Sequence, residues 1–234
     1  MLNYVLGAEW KYDWRFQMEA VAGKERRSQT RAVAAYIIYP RQGKSRLKYP
    51  VTIVDTPGFG DAKGLDEVTI SELGAFFKHK DGIDCLHSIA LVVPASTSKL
   101  NASYIHVYRQ LENIFGKEVI QNIHLLLTSA DGSSTPPALE VVKRVGLPYN
   151  GVYAVNNCCL YESSRETEVI WNRMMISLGE YFGMLENAKP VSDTMTKEVL
   201  MEREAIEMVV PELHKQIRKG NVFRNLFCIL LSRY

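Results

Sequence analysis

Apolar, strand-like runs alternate with amphipathic helical stretches along most of the chain. Predicted strands lie at residues 49–54, 86–93, 123–127 and 151–155, and predicted helices at 66–78, 103–115, 137–145 and 166–185. Strands that alternate with helices favour a mainly parallel sheet, because parallel neighbours need a long crossover connection between them. The continuous apolar character of residues 86–93 is typical of a strand that is covered on both faces. The pattern therefore predicts a three-layer α/β fold.

A hairpin is predicted ahead of this alternation. Residues 32–39 are rich in β-forming side chains and end at Pro40, and a basic turn over residues 41–48 separates them from the 49–54 strand. Two short apolar runs joined by a turn of this kind indicate adjacent strands.

The far end of the chain follows a different period. Over residues 196–218, apolar residues recur seven apart among many charges, as in the seam of a coiled coil. Pro211 lies inside this segment and removes one helix hydrogen bond, so we expect a kink or a break there. We predict a domain over residues 1–188 and a helical, coiled-coil-like extension over 189–234 that ends in an apolar tail.

The composition is that of an ordinary globular protein, with 47% hydrophobic and 23% charged residues among 234. Lys and Arg number 28 against 26 Asp and Glu, and this net charge of +2 argues against nucleic-acid binding by bulk charge. Four cysteines are too few for a disulfide framework in a chain of this length. The sequence shows neither a signal-peptide pattern nor a run of roughly 18 apolar residues, so we expect a cytoplasmic protein without a transmembrane segment.

The strongest local motif is V-T-I-V-D-T-P-G-F-G-D, in which an apolar strand delivers Asp55 at its carboxyl end and Gly58 follows three residues later. In a parallel sheet this edge is where ligands bind. An aspartate there can hold Mg²⁺, and a glycine allows a backbone N–H to approach a terminal phosphate. This is the D-x-x-G pattern of a GTPase switch. The alternative interpretation is a tight turn after a core strand.

A second motif, L-T-S-A-D-G, follows the 123–127 strand and contains Thr128 and Asp131. A carboxylate at this edge can accept two hydrogen bonds from a guanine ring, which adenine does not offer, so it gives base specificity. The usual GTPase motif is N/T-K-x-D, and Ser129 occupies the position of the lysine that would stack on the base. A helix cap or an Asx turn is the alternative.

Two weaker signals complete the set. The predicted strand over residues 151–155 is followed by N-N-C-C, at the position where GTPases place a loop that contacts the base. The alternative is that Cys158 and Cys159 are small side chains that fill space in the core. Thr30 precedes the first predicted strand, where a threonine could close over Mg²⁺ and the terminal phosphate. The alternative for Thr30 is a turn residue.

In this order and spacing, the motifs I-V-D-T-P-G-F-G-D, T-x-A-D-G and N-N-x-x-L resemble the TRAFAC-class GTPase domains of the septin and immunity-associated families. The resemblance extends over about residues 1–201. It implies that GTP or GDP and Mg²⁺ are the ligands, with nucleotide contacts from Thr30, Asp55, Gly58, Thr128, Asp131, Cys158 and Cys159, and metal contacts from Thr30 and Asp55. It also implies slow GTP hydrolysis in an intact form. A homodimer through the nucleotide face or the C-terminal helix is a further expectation.

One part of the family pattern is missing from these 234 residues. The family begins with a strand and a G-x-x-x-x-G-K-S/T loop, whereas Gly43-Lys44-Ser45 lies in a hairpin turn and lacks the leading glycine. We therefore expect a truncated form whose sheet lacks its first central strand and which binds nucleotide weakly. Phe59 occupies the position where some GTPases carry a water-positioning glutamine, so no hydrolytic residue is assigned. The rival hypothesis is an interaction module that retains the fold without binding nucleotide.

Overall fold

The computed structural model describes residues 1–12, 15–16, 32–57, 65–79, 83, 85–100, 105, 108–109, 117–192, 205–206 and 208–219. The chain divides into two compact units, Met1–Asp193 and Thr194–Tyr234. In chain order the elements of the first unit are α1 (Leu2–Val5), β1 (Ala34–Ile38), β2 (Val51–Asp55), α2 (Leu65–Lys78), β3 (Cys85–Leu86), β4 (Ile89–Pro94), β5 (Ile123–Thr128), α3 (Pro137–Val145), β6 (Gly151–Ala154), α4 (Arg165–Asn187) and β7 (Val191–Ser192), with 3-10 turns at Lys117–Asn122 and Asn157–Leu160.

A parallel sheet with the strand order β4–β5–β6 forms the centre of the first unit. The central strand β5 is buried along almost its whole length, as its continuous apolar sequence predicts. Helices connect these strands, so the α/β prediction is confirmed. Of the helix predicted over 103–115, residues 105, 108 and 109 are described and are helical, and the rest lies outside the described residues.

The hairpin prediction is also confirmed. Strands β1 and β2 pair in an antiparallel ladder that runs from Ala34 opposite Asp55 to Ile38 opposite Val51. In the described part of the chain this hairpin forms a two-stranded sheet of its own, which shares no ladder with β4, β5 or β6. The strands predicted over residues 49–54 and 86–93, which follow one another along the chain, thus belong to different sheets.

Most of the strand predicted over residues 86–93 is observed, but its continuity is wrong, because residues 87 and 88 interrupt it. The structure has the short strand β3, which pairs antiparallel with β7, and then β4 after a break at His87 and Ser88. The break is stabilised by side chains, because Asn122 Nδ2 donates to the His87 carbonyl at 2.9 Å and Ser88 Oγ lies 2.8 Å from His124 Nδ1. Tyr181 donates its hydroxyl to Ser88 Oγ at 3.1 Å. These bonds come from distant residues and cannot be read from the run itself.

The main core lies under α4. Trp171, Leu178 and Phe182 are buried on one side of this helix, against Val5 of α1 and Leu126 of β5. Burying side chains of this size contributes about 1.5–3 kcal/mol each. The helix begins at a capping box in which Ser164 and Thr167 each satisfy the other's backbone N–H.

The N-terminal segment connects the hairpin with α4. The Tyr4 ring stacks on Phe182 with centroids 5.2 Å apart, and the Arg46 guanidinium donates to the carbonyls of Tyr4 and Ala8 at 3.1 and 2.9 Å. The Arg15 guanidinium lies against the rings of Trp10 and Trp171. Its Cζ is 4.7 Å from the first ring centroid and 4.6 Å from the second, and such cation–π contacts are favourable where the cation is shielded from water.

In the second unit, residues 205–206 and 208–219 are helical and exposed. The helix continues through Pro211, so the break expected there is absent. On an exposed helix, water can satisfy the carbonyl that a proline leaves without a donor. None of the helices in the described part of the chain has the length and hydropathy that a bilayer crossing requires.

Candidate functional site

Two loops meet at the carboxyl edge of the parallel sheet. The first, residues 129–136, connects β5 to α3, and the second, residues 155–164, connects β6 to α4. Because β5 and β6 are parallel neighbours, both loops leave the sheet at the same edge. The sequence motifs T-S-A-D-G and N-N-C-C therefore lie side by side, as the parallel-sheet prediction requires.

Asn156 joins the two loops. Its side-chain Nδ2 donates to the carbonyl of Ala130 at 2.9 Å, and its Oδ1 accepts the backbone N–H of Cys158 at 3.1 Å. The backbone adds a further link, since the Ala130 N–H donates to the Val155 carbonyl at 3.1 Å. One half-buried amide thus fixes the path of both loops.

Asp131 is exposed, and its Oδ1 accepts the Ser133 backbone N–H at 2.8 Å. This hydrogen bond forms an Asx turn, the alternative interpretation of the L-T-S-A-D-G motif. A carboxylate has about four acceptor positions, so one internal hydrogen bond leaves capacity for further donors and also orients the group. Thr128 ends β5 half-buried, and its carbonyl accepts the Ala95 N–H at 2.8 Å. This backbone hydrogen bond fixes the start of the loop against Ala95.

Arg173 of α4 places a cation beside this turn. Gly132 has a φ of +92°, a conformation that other residues adopt at a cost, and a side chain added there would overlap the Arg173 guanidinium. Arg173 is exposed, so its guanidinium is available to a ligand at the residue next to Asp131. Ser129 itself has a φ of +52° and is exposed.

Cys158 and Cys159 differ in their surroundings. Cys158 is exposed, whereas Cys159 is 1% exposed, belongs to the core under α4 and donates its thiol to the Asn156 carbonyl at 3.1 Å. Burial raises the pKa of the Cys159 thiol to about 11, so it stays protonated at neutral pH. The filler interpretation therefore applies to Cys159 and not to Cys158. Only Cys158 presents its side chain to the outside of this edge.

The metal and phosphate end of the predicted site is described in part. Asp55 is half-buried at the last position of β2, opposite Ala34. Thr30 and Gly58 lie outside the described residues. Among the residues that are described, no group of three or more His, Cys, Asp or Glu side chains could hold a metal ion. A single aspartate fits Mg²⁺ that arrives with nucleotide phosphates and keeps several waters, which is the usual coordination of this ion.

Two residues of this edge were not among the predicted ligands. Asn156 is the first residue of the N-N-C-C motif. An asparagine at the end of a strand often forms a side-chain hydrogen bond to the backbone of a loop, but the sequence does not show which residue accepts it. Arg173 follows Gly132 by about forty residues in the middle of a helix, and nothing in its neighbourhood distinguishes it from a solvated helix residue.

Comparison with known proteins assigns no family to the chain. No protein-family model matches the sequence, and no curated protein matches it. Among solved structures, the chain is similar to a dimerization-deficient mutant of Toc33 from Arabidopsis thaliana, with 14% sequence identity and a TM-score of 0.42. The match covers 66% of this chain and 72% of that one. A similarity at this level concerns the backbone and assigns no role to any side chain.

Proposed function

We propose that this protein is a guanine-nucleotide-binding protein of the septin-like or immunity-associated GTPase type. The observation that supports this most is the exposed Asp131 carboxylate, held by the Ser133 N–H on a loop that Asn156 joins to the next loop. Preorganised acceptors of this kind discriminate strongly between bases, because a ligand without the matching donors leaves them unsatisfied.

The chemistry of the base explains the choice of guanine. Guanine carries a ring N–H and an adjacent amino group, and a carboxylate can accept both at once. Adenine has a bare ring nitrogen at the equivalent position, which repels a carboxylate. In this proposal Thr128 anchors the loop, Cys158 borders the base, and Cys159 supports the second loop from the core.

At the other end of the nucleotide, we assign Mg²⁺ to Asp55 and Thr30 and the terminal phosphate to Gly58. Bound Mg²⁺ would neutralise phosphate charge. Each charge-assisted hydrogen bond from a phosphate loop is worth about 1.5–3 kcal/mol, and these 234 residues contain no G-x-x-x-x-G-K-S/T loop. We therefore propose weak binding, in which contacts to the base contribute a large share.

The test is a titration of the purified chain with a fluorescent guanine nucleotide, with the adenine analogue as the control ligand. We expect saturable binding of the guanine ligand alone. Asp131→Ala should abolish it, while Glu140→Ala, which removes an exposed acid from α3, should leave it unchanged.

Asp131→Asn sharpens the same test. An asparagine amide keeps an oxygen for the Ser133 N–H but replaces one acceptor by a donor. The variant should lose guanine nucleotide and gain affinity for xanthine nucleotide, whose ring presents a carbonyl in place of the amino group. A variant that binds guanine as well as the unchanged chain does would defeat the assignment of Asp131.

The second candidate is an interaction module that keeps this fold and binds no nucleotide. Ser129 at the lysine position and the missing phosphate loop favour it. The same titration separates the two, because the module would bind neither guanine nor adenine nucleotide at any concentration tested.

A further inference from the structure

The turn of the hairpin concentrates positive charge. Residues 32–54 contain no Asp or Glu and four bases, which all lie in the connection between β1 and β2 and are all exposed: Arg41, Lys44, Arg46 and Lys48. Four bases without an acid give this short segment a charge of +4, whereas the whole chain carries +2. A local excess of this kind attracts anionic partners to one place on the surface.

The backbone of this turn is held by the N-terminal segment. The Arg46 N–H donates to the Val5 carbonyl at 3.2 Å, and its guanidinium donates to two further carbonyls of the same segment. A side chain at Gly7 would overlap the Lys44 carbonyl, so the two segments are in close contact. Arg46 is thus engaged within the fold, and the other three bases extend from a backbone that is already fixed.

Large apolar side chains lie next to these charges. Tyr36 and Ile37 of β1 are 42% and 54% exposed, and Tyr39, at the start of the turn, is 68% exposed. Ile38, which lies between Ile37 and Tyr39, packs against the main core and anchors the strand. Several large apolar side chains that are exposed together indicate an interaction surface.

We propose that the exposed side of β1 and the basic turn after it dock onto an anionic lipid surface. Basic side chains attract the headgroups of such a surface, while aromatic and aliphatic side chains enter the boundary between headgroups and acyl chains. A nucleic acid fits less well, because its phosphate backbone offers nothing to an exposed aliphatic side chain such as Ile37.

The acids of neighbouring elements leave this surface positive. Glu9 of the N-terminal segment forms an ion pair with Lys11 at 2.6 Å, so its charge is already balanced. Glu186, near the end of α4, interacts with Tyr49 after the turn. One further acid does not neutralise the four bases of the turn.

The turn lies away from the nucleotide site proposed above. Strand β2 leaves the turn and runs over five residues to Asp55, and a strand rises about 3.3 Å per residue. The turn and Asp55 are therefore roughly 15 Å apart, so a membrane can cover the turn without covering Asp55. The inference does not depend on nucleotide binding.

The first test is co-sedimentation of the full chain with vesicles of phosphatidylcholine alone and of phosphatidylcholine mixed with phosphatidylserine. We expect binding to the mixed vesicles only, and release as salt is added, because salt screens the attraction. Each base near an anionic surface strengthens binding roughly fivefold, so replacing the three outward bases by Gln should weaken it by about a hundredfold. These replacements are Arg41→Gln, Lys44→Gln and Lys48→Gln.

The matched control removes the same charge from another part of the surface. Lys143→Gln, Arg144→Gln and Lys189→Gln change three exposed bases outside the hairpin, and this variant should keep most of the binding. Denaturant unfolding checks that both triple variants remain folded. If both variants lost binding to the same extent, net charge would explain the result and the assignment to the turn would be wrong.

The second test addresses the apolar contact. Ile37→Ser with Tyr39→Ser should weaken binding to the mixed vesicles by about tenfold or more, because both side chains would leave water on docking. Val169→Ser with Ile176→Ser is the control, since these side chains of α4 are 50% and 65% exposed and lie outside the hairpin. Unchanged binding in the hairpin variant would overturn the docking of β1.

Two further results would overturn the proposal. One is equal binding to neutral and anionic vesicles. The other is a chain that binds a duplex oligonucleotide through the three outward bases of the turn and binds no vesicles. The guanine-nucleotide titration is separate from these experiments, because a chain that binds no nucleotide should still bind the mixed vesicles.

Discussion

The hairpin and the parallel sheet belong to the same unit but differ in how fully they are covered. In β5, His124, Leu125 and Leu127 are at most 2% exposed, whereas Tyr36 and Ile37 of β1 are 42% and 54% exposed. The loops that follow β5 and β6 are joined by Asn156 and backed by α4, while Asp55 ends a two-stranded ladder. The loops proposed to bind the base therefore follow buried strands, whereas the aspartate proposed to bind the metal ends a partly exposed two-stranded ladder. Isolated two-stranded ladders contribute little stability by themselves.

The largest difference between the two regions should appear in their side-chain truncations. Trp171→Ala removes a ring that is 2% exposed beneath α4, and we expect it to lower the free energy of unfolding by about 3–5 kcal/mol. Ile37→Ala, on the exposed side of the hairpin, should cost less than about 1 kcal/mol. Denaturant unfolding of both variants measures the contrast, and equal costs would contradict it.

A smaller effect is expected from the residue that joins the two loops. Asn156→Ala removes one hydrogen bond to Ala130 and one from Cys158, so we expect a loss of about 1–3 kcal/mol in the free energy of unfolding. Faster hydrogen exchange at the Ala130 and Cys158 amides should accompany it. Asn157→Ala, the exposed neighbour, is the control. Unchanged exchange at both amides in Asn156→Ala would show that the loops hold their positions without it.

Acidification should act on the buried sheet through His124. This side chain is 1% exposed beside Ser88 and the rings of Tyr153 and Tyr181, and burial lowers its pKa below the ordinary value of 6.5. The unfolded chain therefore takes up a proton before the folded chain does, so the contribution of His124 to stability is present above about pH 6.5 and is lost as the pH falls below it.

As the pH falls through this range, the free energy of unfolding should decline less steeply in His124→Gln than in the unchanged chain. The control is His87→Gln, which changes an exposed histidine and should keep the full decline. Identical pH profiles for the unchanged chain and His124→Gln would assign the decline to other groups.

The smallest effect on stability is expected for Arg173, because its side chain is exposed. Arg173→Gln should change the free energy of unfolding by no more than about 0.5 kcal/mol relative to the unchanged chain. It should nevertheless weaken guanine-nucleotide binding several-fold if the guanidinium stacks on the base in place of the lysine that Ser129 replaces. Arg144→Gln, an exposed arginine of α3, is the control for charge alone. Equal affinities of the two variants for guanine nucleotide would show that Arg173 does not contact the base.

The parts of the fold that follow from the sequence are those with local causes. The helix predicted over 137–145 is observed at those bounds, because Pro137 stands in its first turn and Gly146, with a φ of +73°, ends it. The break between β3 and β4 was not predictable, since it depends on bonds from His124 and Tyr181. The same holds for the site. Its loops follow from the strand ends, whereas the approach of Arg173 to Gly132 depends on how α4 packs.

Guanine-nucleotide binding at the carboxyl edge of the parallel sheet is tested most directly by the backbone amide shifts that change when a guanine nucleotide and Mg²⁺ are added to the labelled chain. We predict changes at Ala130, Asp131 and Cys158, and at Thr56 beyond the end of β2, and none of these changes with the adenine nucleotide. Changes confined to other surfaces, or the same changes with both nucleotides, would contradict a guanine pocket at this edge of the sheet.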